Sequence, residues 1–364
     1  MKLSIPLGLA ALGLSASAEL AFSQTWTMVH PGWAADFELD RSDEEHVVIL
    51  HYPSTGGAVI RETWDSGVSW TTSPPPPLAG QLNGLDLGPE GTLYARVRPP
   101  HGSTVPQSLV YRRDATGWIS FGPVFSPSAF GFESLSRRFH VSGTDPTKMV
   151  LGMERTSNGQ HTAFESSDGG VTWNRFATGA LIEHLSIEFI DGREQVLRLD
   201  VYSPSTGVEG RWWLDDPWSG GPSRLLFDYF EFNAPLDTGR VQPDHMFLID
   251  TIPSTFAEQL MASTDAGATW EPVGPTGGFR GFVRANVDPG LLVRTTYVAL
   301  PASTVGFEVS RDAGRTWTAG AVMPAPTLAA PPNFRFSADD SRLYMGSGDG
   351  LFMLDFVQDV GVSE

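Results

Sequence analysis

The chain has 364 residues, of which 42 are acidic and 24 are basic, so its formal net charge at pH 7 is −18. This charge argues against binding to nucleic-acid phosphates and against docking on an anionic lipid surface. The absence of cysteine excludes disulfides, thiolate metal sites, a cysteine nucleophile and a lipid anchor on an N-terminal cysteine. The 39 glycines and 28 prolines indicate many turns, and the 41% hydrophobic residues can form a large core.

Residues 1–23 are predicted to be a secretory signal. Lys2 is followed by an apolar run over 3–14 and by the small residues Ala-Ser-Ala at 16–18, which is the order of a cleavable export signal. A buried N-terminal helix is the alternative. Neither this run nor any later one approaches the roughly 20 apolar residues of a membrane span. We therefore expect cleavage between residues 18 and 23 and a secreted or periplasmic protein.

An eight-residue pattern occurs four times in the rest of the chain. The copies are TWDSGVSW, SSDGGVTW, STDAGATW and SRDAGRTW, which end at Trp70, Trp173, Trp270 and Trp317. Degenerate copies end at Trp118 and Trp218, so the pattern returns about every 49 residues. A repeat of this length predicts a radial or solenoid architecture.

The pattern has the chemistry of a β-hairpin turn. The aspartate can accept hydrogen bonds from N–H groups of its own turn, and the glycine two residues later tolerates a positive φ. The following β-branched threonine starts a strand, and the tryptophan can pack on neighbouring strands. These aspartates, Asp65, Asp168, Asp265 and Asp312, are therefore predicted to be structural. The alternative is that their carboxylates form a carbohydrate or Ca²⁺ site.

Each repeat is predicted to contain four strands. In chain order, the first two strands of the repeats are 36–40 with 46–52, 83–87 with 92–97, 137–141 with 148–153, 184–190 with 195–202, 239–241 with 245–252, 282–287 with 291–298, and 333–337 with 342–347. A third strand precedes each turn, at 58–62, 108–112, 161–165, 210–214, 259–263 and 306–310, and a last one lies at 350–355. Four short strands per repeat of this length are typical of a β-propeller blade.

The ends of the chain complete this count. Seven inner strand pairs occur but only six turns end in tryptophan, and the last repeat stops after its third strand. Residues 23–29, SQTWTMV, have the Thr-Trp ending of the pattern followed by a strand. The sequence therefore predicts one all-β domain over 24–364, a seven-bladed β-propeller whose N-terminal strand completes the last blade and removes its open edge.

The Ser-x-Asp-x-Gly-x-Thr-Trp motif resembles the Asp box, or bacterial neuraminidase repeat. The resemblance covers the mature chain and implies a place among the sialidase-like Asp-box propellers, which include sialidases, xyloglucan-degrading glycosidases, sortilin-type receptors and the photosystem II assembly-factor family. In these families the Asp box lies between the third and fourth strands of a blade, on the face opposite the ligand. The resemblance thus implies structural roles for the four aspartates.

The resemblance does not extend to the sialidase active site. Sialidases hold a substrate carboxylate with three arginines, the first in an Arg-Ile-Pro motif before the first box. Here the only Ile-Pro of the mature chain, at 252–253, follows Thr251, and only Arg41 and Arg61 precede Asp65. Sialidase activity is therefore not expected.

A ligand is expected on the face formed by the loops that lead into each blade and by the loops between its second and third strands. The densest groups there are Glu183-His184 and Asp228-Tyr229-Phe230-Glu231, and we select Glu183, Asp228, Tyr229 and Glu231 as candidate catalytic residues because carboxylates can act as acid and base. Candidate ligand-binding residues are Trp33, His51, Tyr52, Glu154, His184 and Arg280. The same loops carry His30, Asp36, Arg96, Arg98, His101, Glu133, His161, Asp250 and Tyr297. Each of these residues, taken singly, can also be an ordinary solvated loop residue.

No metal site or cofactor is predicted, because the eight histidines lack ligand spacing and no phosphate or dinucleotide loop occurs. The expected function is that of a monomeric, secreted binding module for an extracellular glycan or protein. The alternative is a glycoside hydrolase or lyase of sialidase-like architecture. An assembly factor for a membrane complex is a weaker hypothesis, since its photosystem II relatives carry an arginine-rich patch and the arginines here are scattered.

Overall fold

The structure is a computed structural model of the chain. It describes residues 25–34, 36–53, 57–77, 81–98, 107–125, 136–155, 160–178, 182–190, 195–202, 209–229, 236–238, 242–252, 254–255, 257–277, 279–297, 305–320 and 333–356. The predicted export signal lies outside these residues.

The described residues form seven antiparallel four-stranded sheets, the blades of a β-propeller. Blade 1 contains β2 (Asp36–Leu39), β3 (Val47–His51), β4 (Val59–Thr63) and β5 (Thr71–Ser73). Blade 2 contains β6 (Gln81–Leu87), β7 (Leu93–Arg98), β8 (Gln107–Asp114) and β9 (Gly117–Phe125). Blade 3 contains β10 (Ser136–Val141), β11 (Met149–Arg155), β12 (Gln160–Ser166) and β13 (Asn174–Thr178).

The remaining blades follow the same order of strands. Blade 4 contains β14 (Ile182–Ile190), β15 (Gln195–Tyr202), β16 (Glu209–Asp215) and β17 (Arg224–Tyr229). Blade 5 contains β18 (Leu236–Thr238), β19 (Met246–Ile252), β20 (Ala257–Ser263) and β21 (Glu271–Val273). Blade 6 contains β22 (Phe279–Arg284), β23 (Leu292–Tyr297), β24 (Val305–Ser310) and β25 (Thr318–Ala319).

Blade 7 joins the two ends of the chain. Its inner three strands are β26 (Asn333–Phe336), β27 (Arg342–Gly346) and β28 (Gly350–Asp355), and its outer strand is β1 (Thr27–Pro31), which pairs antiparallel with β28. The predicted closure by the N-terminal strand is therefore confirmed. The pairing satisfies the backbone groups of β28, which would otherwise form an open sheet edge.

Two predicted strands differ from the observed ones by three residues at both ends. The inner strand of blade 5 was expected at 239–241, which lies outside the described residues, and the described inner strand is β18 at Leu236–Thr238. The inner strand of blade 6 ends at Arg284 rather than at Val287, because Asp288 and Gly290 form the turn that leads to β23. The periodicity of apolar residues does not define such boundaries to better than a few residues.

The core lies between adjacent blades. Phe37 and Ile49 of blade 1 pack with Tyr344 and Leu351 of blade 7, and among the described residues equivalent apolar clusters join the other neighbouring sheets except blades 3 and 4. Because each sheet buries both faces against its neighbours, its strands are apolar on both sides over much of their length.

The repeated tryptophans contribute to these interfaces. The indole N–H groups of Trp70 and Trp270 donate to the main-chain oxygens of Val29 and Leu226 on the outer strand of the preceding blade. Trp118 and Trp218 likewise reach carbonyls of the preceding blade, and Trp26 packs against Phe307 of blade 6 with an edge contact at 5.5 Å between ring centroids. These five tryptophans therefore link one blade to the one before it, whereas the indole N–H groups of Trp173 and Trp317 donate to the Gly170 and Gly314 carbonyls of their own turns.

Candidate functional site

Two kinds of loop meet on one face of the propeller. Residues 32–34 follow β1 on the way to β2, and residues 52–53 and 57–58 lie between β3 and β4, so both groups lie at the end of blade 1 opposite its hairpin turn at 64–70. We call the part of this face formed by blades 1 and 2 the mouth, defined by Trp33, Asp36, Tyr52 and Arg96.

The mouth begins with an exposed aromatic pair. Trp33 is 50% exposed, and its ring centroid lies 6.1 Å from that of Tyr52 at an interplanar angle of 54°. The Tyr52 hydroxyl donates to the main-chain oxygen of Leu82 at 3.3 Å, which joins blade 1 to blade 2. Burial raises the pKa of Tyr52, so its hydroxyl is protonated at neutral pH. The ring of Tyr52 is thus fixed, and the ring of Trp33 faces solvent beside it.

An ion pair lies next to the aromatic pair. Asp36 begins β2 and accepts a hydrogen bond from the Leu85 N–H of blade 2 at 3.1 Å, and its carboxylate lies 3.7 Å from the Arg96 guanidinium. Arg96 lies directly opposite Gly84 in the β6–β7 register, and its guanidinium occupies the space that a Cβ at position 84 would need. A side chain at position 84 would therefore displace the Arg96 guanidinium from its place beside Asp36.

Deeper charged residues belong to the innermost strands. Glu38 of β2 accepts two hydrogen bonds from Arg335 of β26, at 2.7 and 2.9 Å. Asp86 of β6 accepts a hydrogen bond from the Val141 N–H at 2.9 Å, and the His140 ring lies 3.8 Å from the same carboxylate. We call Glu38 and Asp86 the channel carboxylates, since the innermost strands of a propeller surround its central channel.

Both channel carboxylates have raised pKa values. Burial, with a contribution from Asp86 and Asp36, raises the pKa of Glu38 to about 8, although the positive charge of Arg335 acts in the opposite direction. Burial also raises the pKa of Asp86 to about 6, against the charge of Arg41 and the hydrogen bond from Val141. Carboxyl groups with such pKa values can carry a proton near neutral pH, which is a property of general acids.

The structure brings together only part of the candidate site. Trp33 and Tyr52 are neighbours, whereas His51 turns to the other face of blade 1 and contacts His30 with ring centroids 4.9 Å apart. The backbones of the other candidates lie on blades 3, 4 and 6, but their side chains are outside the described set: Glu154 on β11, Glu183 and His184 on β14, Asp228 and Tyr229 on β17, and Arg280 on β22. Glu231 lies outside the described residues.

The four aspartates of the repeated turns lie between the third and fourth strands of blades 1, 3, 5 and 6. Asp265 shows the common arrangement, in which one carboxylate oxygen accepts the Thr269 N–H at 2.8 Å and the other accepts the Thr269 hydroxyl at 2.7 Å. Asp65, Asp168 and Asp312 accept equivalent hydrogen bonds within their own turns. Because their oxygens are used inside the turn, the geometry favours a structural role over a ligand role.

The glycine of each turn has the conformation that its position requires. Gly267 has a φ of 77° and follows Ala266 with a φ of 58°, so two consecutive residues are left-handed. The Ser263 hydroxyl accepts the Gly267 N–H at 2.8 Å, which orients the turn from its first residue. Two consecutive positive φ values form the turn whose twist matches a β-hairpin.

Sequence reasoning missed the channel carboxylates and their partners. Glu38, Asp86 and Arg335 lie within strands that are predicted as the first strands of their repeats, and only their alternation with Phe37, Leu85 and Phe336 distinguishes them. Asp36 and Glu38 of β2, and Asp40 directly after it, occur at every second position. Such a period of two was the available signal for charged residues on one face of an innermost strand.

These features define the class of the molecule as a seven-bladed β-propeller. No protein-family model and no curated protein sequence matches the chain. Among the described residues no group of three histidine, aspartate or glutamate side chains is arranged to hold a metal ion, and no helix of that part of the chain is long and apolar enough to cross a membrane.

Solved structures resemble the chain in fold. An oligogalacturonate lyase from Vibrio parahaemolyticus superposes with a TM-score of 0.66 at 10% identity, covering 93% of this chain and 96% of the lyase. A GH74 xyloglucanase from Xanthomonas campestris gives a TM-score of 0.60 at 14% identity, and covers 93% of this chain. This chain spans only 54% of the xyloglucanase. YCF48 from Cyanidioschyzon merolae gives a TM-score of 0.57 at 13% identity, covering 92% of this chain and 99% of YCF48. At these identities the likeness concerns the fold alone.

Proposed function

We propose that this protein is a carbohydrate-binding β-propeller whose ligand lies at the mouth. The observation that carries the proposal is the exposed ring of Trp33 beside Tyr52, with the Asp36–Arg96 pair next to them. An exposed indole fixed beside a second ring offers an apolar face to the C–H groups of a sugar. Neighbouring carboxylate and guanidinium groups can accept from and donate to sugar hydroxyls.

Two further points support a glycan rather than another ligand. The repeated turns resemble the Asp boxes of carbohydrate-active propellers, and two of the solved structures of similar fold are named as a xyloglucanase and an oligogalacturonate lyase. The net charge of −18 disfavours polyanionic partners such as nucleic acids.

With the export signal proposed for residues 1–23, the ligand would be an extracellular or periplasmic glycan. A protein ligand is the other outcome, since one YCF48 structure is described as bound to D1 peptide.

A second candidate function is glycoside hydrolysis or lysis. It is favoured by Glu38 and Asp86, because burial holds the pKa values of these carboxyl groups near 8 and 6. A protonated and an ionised carboxyl group in one site are the requirement for acid and base catalysis at a glycosidic bond. The group Glu183, Asp228, Tyr229 and Glu231 on blade 4 is the other proposed source of catalytic carboxylates.

Binding is tested with a glycan array, followed by calorimetry on the best ligand. Trp33→Ala should weaken the Kd about five- to tenfold, the loss of roughly 1 kcal/mol of aromatic contact. Trp64→Ala is the matched control, because Trp64 is 55% exposed but lies in the hairpin turn at the opposite end of blade 1. Equal Kd values for Trp33→Ala and the unmodified protein on every bound glycan would refute the assignment of the mouth.

Hydrolysis is tested with a panel of chromogenic glycosides. Lysis is tested by incubating the protein with acidic polysaccharides and measuring the absorbance of the unsaturated product. Turnover that disappears in Glu38→Gln, with the melting temperature retained, would assign chemistry to the channel. Turnover that disappears in Glu183→Gln or Glu231→Gln would assign it to blade 4. Binding without turnover in all of these assays supports the binding module.

A further inference from the structure

Three buried nitrogen atoms lack a hydrogen-bond partner near the seam where blade 7 meets blade 1. Among the residues that the structure describes, these atoms are Nδ1 of His30, Nδ1 of His51 and Nε of Arg61. His30 lies on β1, the outer strand of blade 7, and its residue is only 6% exposed. A buried polar atom without a partner lowers stability, so three together indicate a missing partner.

The register of blade 1 places two of these side chains on one face. His51 lies directly opposite Val59, and Arg61 follows Val59 by two positions on β4, so His51 and Arg61 point to the same side of the sheet. Ile49, two residues before His51, shares that side and packs against blade 7. The centroid of the His30 ring lies 4.9 Å from that of His51, and the two rings meet edge to face.

The electrostatics of this cluster are positive and unbalanced. Arg61 forms no ion pair with any residue that the structure describes. The pKa of His30 depends on its burial and on three neighbouring groups, namely His51, Arg61 and the Pro31 main chain. Burial first, and then His51 and Arg61, lower the pKa of His30 to about 4. None of the groups that act on His30 is a carboxylate. The cluster therefore has nitrogen donors and a guanidinium charge but no anionic acceptor.

We propose that His30, His51 and Arg61 form a binding site for a carboxylate at the seam between blades 7 and 1. The guanidinium of Arg61 donates from Nε–H to one carboxylate oxygen. His30 takes a proton from solvent on Nδ1 and donates it to the anion as an imidazolium, while the His51 ring lies beside the same group. Binding of the anion is thus coupled to uptake of one proton.

A metal ion fits this cluster less well than an anion. Two imidazoles can hold a transition metal, but the permanent charge of Arg61 repels a cation, and no third metal ligand joins the histidines among the described residues. The carboxylate can belong to a free organic acid or to an acidic sugar. The second source is consistent with the position of the His51 ring against Gly32, which directly precedes Trp33 of the mouth.

The site is tested by thermal unfolding of the full chain in sodium acetate, with sodium chloride at equal ionic strength as the reference. We expect acetate to raise the melting temperature and to bind with at least about tenfold higher affinity at pH 5.5 than at pH 7.5. Above its pKa the protonated fraction of His30 changes tenfold per pH unit, which is the physical source of this dependence.

Three variants make the test specific. His30→Gln should remove the pH dependence of acetate binding, and Arg61→Gln should weaken binding at both pH values. His245→Gln is the matched control, because burial also lowers the pKa of His245, which lies beside the opposite face, before β19. It should leave the acetate effect unchanged.

A measurement on the unmodified protein covers the case in which a variant fails to fold. Acetate should raise the pKa of His30 in an NMR titration of the imidazole nitrogens. Stabilisation by chloride equal to that by acetate, or stabilisation by Zn²⁺ in place of acetate, would overturn the proposal, as would an unchanged pKa of His30.

Glucuronate and glucose separate the two sources of the carboxylate. If glucuronate binds more tightly than acetate and Trp33→Ala removes only that excess, the carboxylate belongs to a sugar at the mouth. If the two bind equally, the site takes a free acid. Acetate binding that survives Trp33→Ala supports this site even if the proposed glycan function fails.

Discussion

Arg335 and Glu38 form a two-point ion pair although they are separated by 297 positions in the chain. The pair joins the innermost strand of the last blade to that of the first. It therefore lies at the one interface of the ring that connects residues from opposite ends of the sequence. The properties of this interface lead to the first two predictions.

Replacing Arg335 by glutamine should destabilise the protein by about 1–3 kcal/mol. Loss of one partner of a buried pair costs several kcal/mol, and the partial exposure of Arg335 reduces that cost. The folded-state pKa of Glu38 is about 8, above its unfolded value, so the native state binds the extra proton and stability falls as pH rises from about 4.5 to 8. Without the positive charge of Arg335 the folded-state pKa of Glu38 should rise further, so this decline should extend to higher pH.

Urea unfolding of the variant between pH 4 and pH 9 measures this dependence. Arg315→Gln is the control, because Arg315 is exposed and hydrogen-bonds only to the Asp312 carbonyl of its own turn. A variant curve parallel to that of the unmodified protein at every pH would contradict the assigned pKa of Glu38.

Deleting residues 24–29 should lower the melting temperature sharply. The deletion removes most of β1, exposes the edge of β28 and removes the contact of Trp26 with Phe307. Trp26→Ala alone should cost about 3 kcal/mol, as expected for truncating a large side chain packed against a core cluster. Met28→Ser on the same strand is the control, because Met28 is 50% exposed. Unchanged melting of the deletion variant would show that the ring does not need this strand.

Acid should weaken the hairpin turns. Hydrogen bonds within the turns hold the pKa values of Asp65, Asp168 and Asp265 at about 2. The largest contribution in each turn comes from a hydroxyl group, which belongs to Ser69, Thr172 and Thr269, respectively. Since these values are lower than in the unfolded chain, the turns contribute stability above about pH 4 that is lost between pH 4 and pH 2.

The Asp65→Asn, Asp168→Asn and Asp265→Asn triple variant tests this acid sensitivity. Its urea midpoint should vary less between pH 4 and pH 2 than that of the unmodified protein, and it should lie lower at pH 6. Asp216→Asn is a control outside the four complete motifs, in the degenerate turn of blade 4. An identical acid profile for the triple variant would argue against the turn bonds as its source.

His46 should titrate above its ordinary pKa. Burial lowers the pKa of this imidazole, but hydrogen bonding to Asp40 at 2.8 Å and the proximity of Glu62 at 3.8 Å outweigh burial and raise it. The ring also stacks on Trp64 with centroids 3.6 Å apart. The stabilisation from this imidazolium is complete below about pH 6.5 and is lost as pH rises through the raised pKa.

Asp40→Asn should lower the pKa of His46 in an NMR titration and should flatten the loss of stability above pH 6.5. Asp43→Asn in the same loop is the control, since the Asp43 side chain accepts a hydrogen bond from the Glu45 N–H, and the contact of Asp43 with His46 is between main-chain atoms, which the substitution keeps. A pKa of His46 that is equal in the two variants would rule out Asp40 as the cause.

Part of the candidate site was predictable and part was not. Trp33, Tyr52, Asp36 and Arg96 could be selected because each lies in a loop or at a strand end on the expected ligand face. The sequence could not predict that these four residues lie close together, because this depends on how blade 1 contacts blade 2 through Tyr52 and Leu82. His51 was assigned to the same ligand face, but its register on β3 turns it toward blade 7 instead.

The sequence by itself determined the seven-bladed architecture and the closing role of the N-terminal strand. Both follow from local chemistry that repeats, namely a turn aspartate, a glycine with positive φ and a tryptophan, which each blade needs for its own hairpin and its own interface. Only the tertiary structure decided that Glu38 meets Arg335, that Asp86 is buried near His140 and that His30, His51 and Arg61 share one seam. These residues occur once each, and contacts between unrepeated residues on different blades depend on the geometry of the closed ring, which no local pattern encodes.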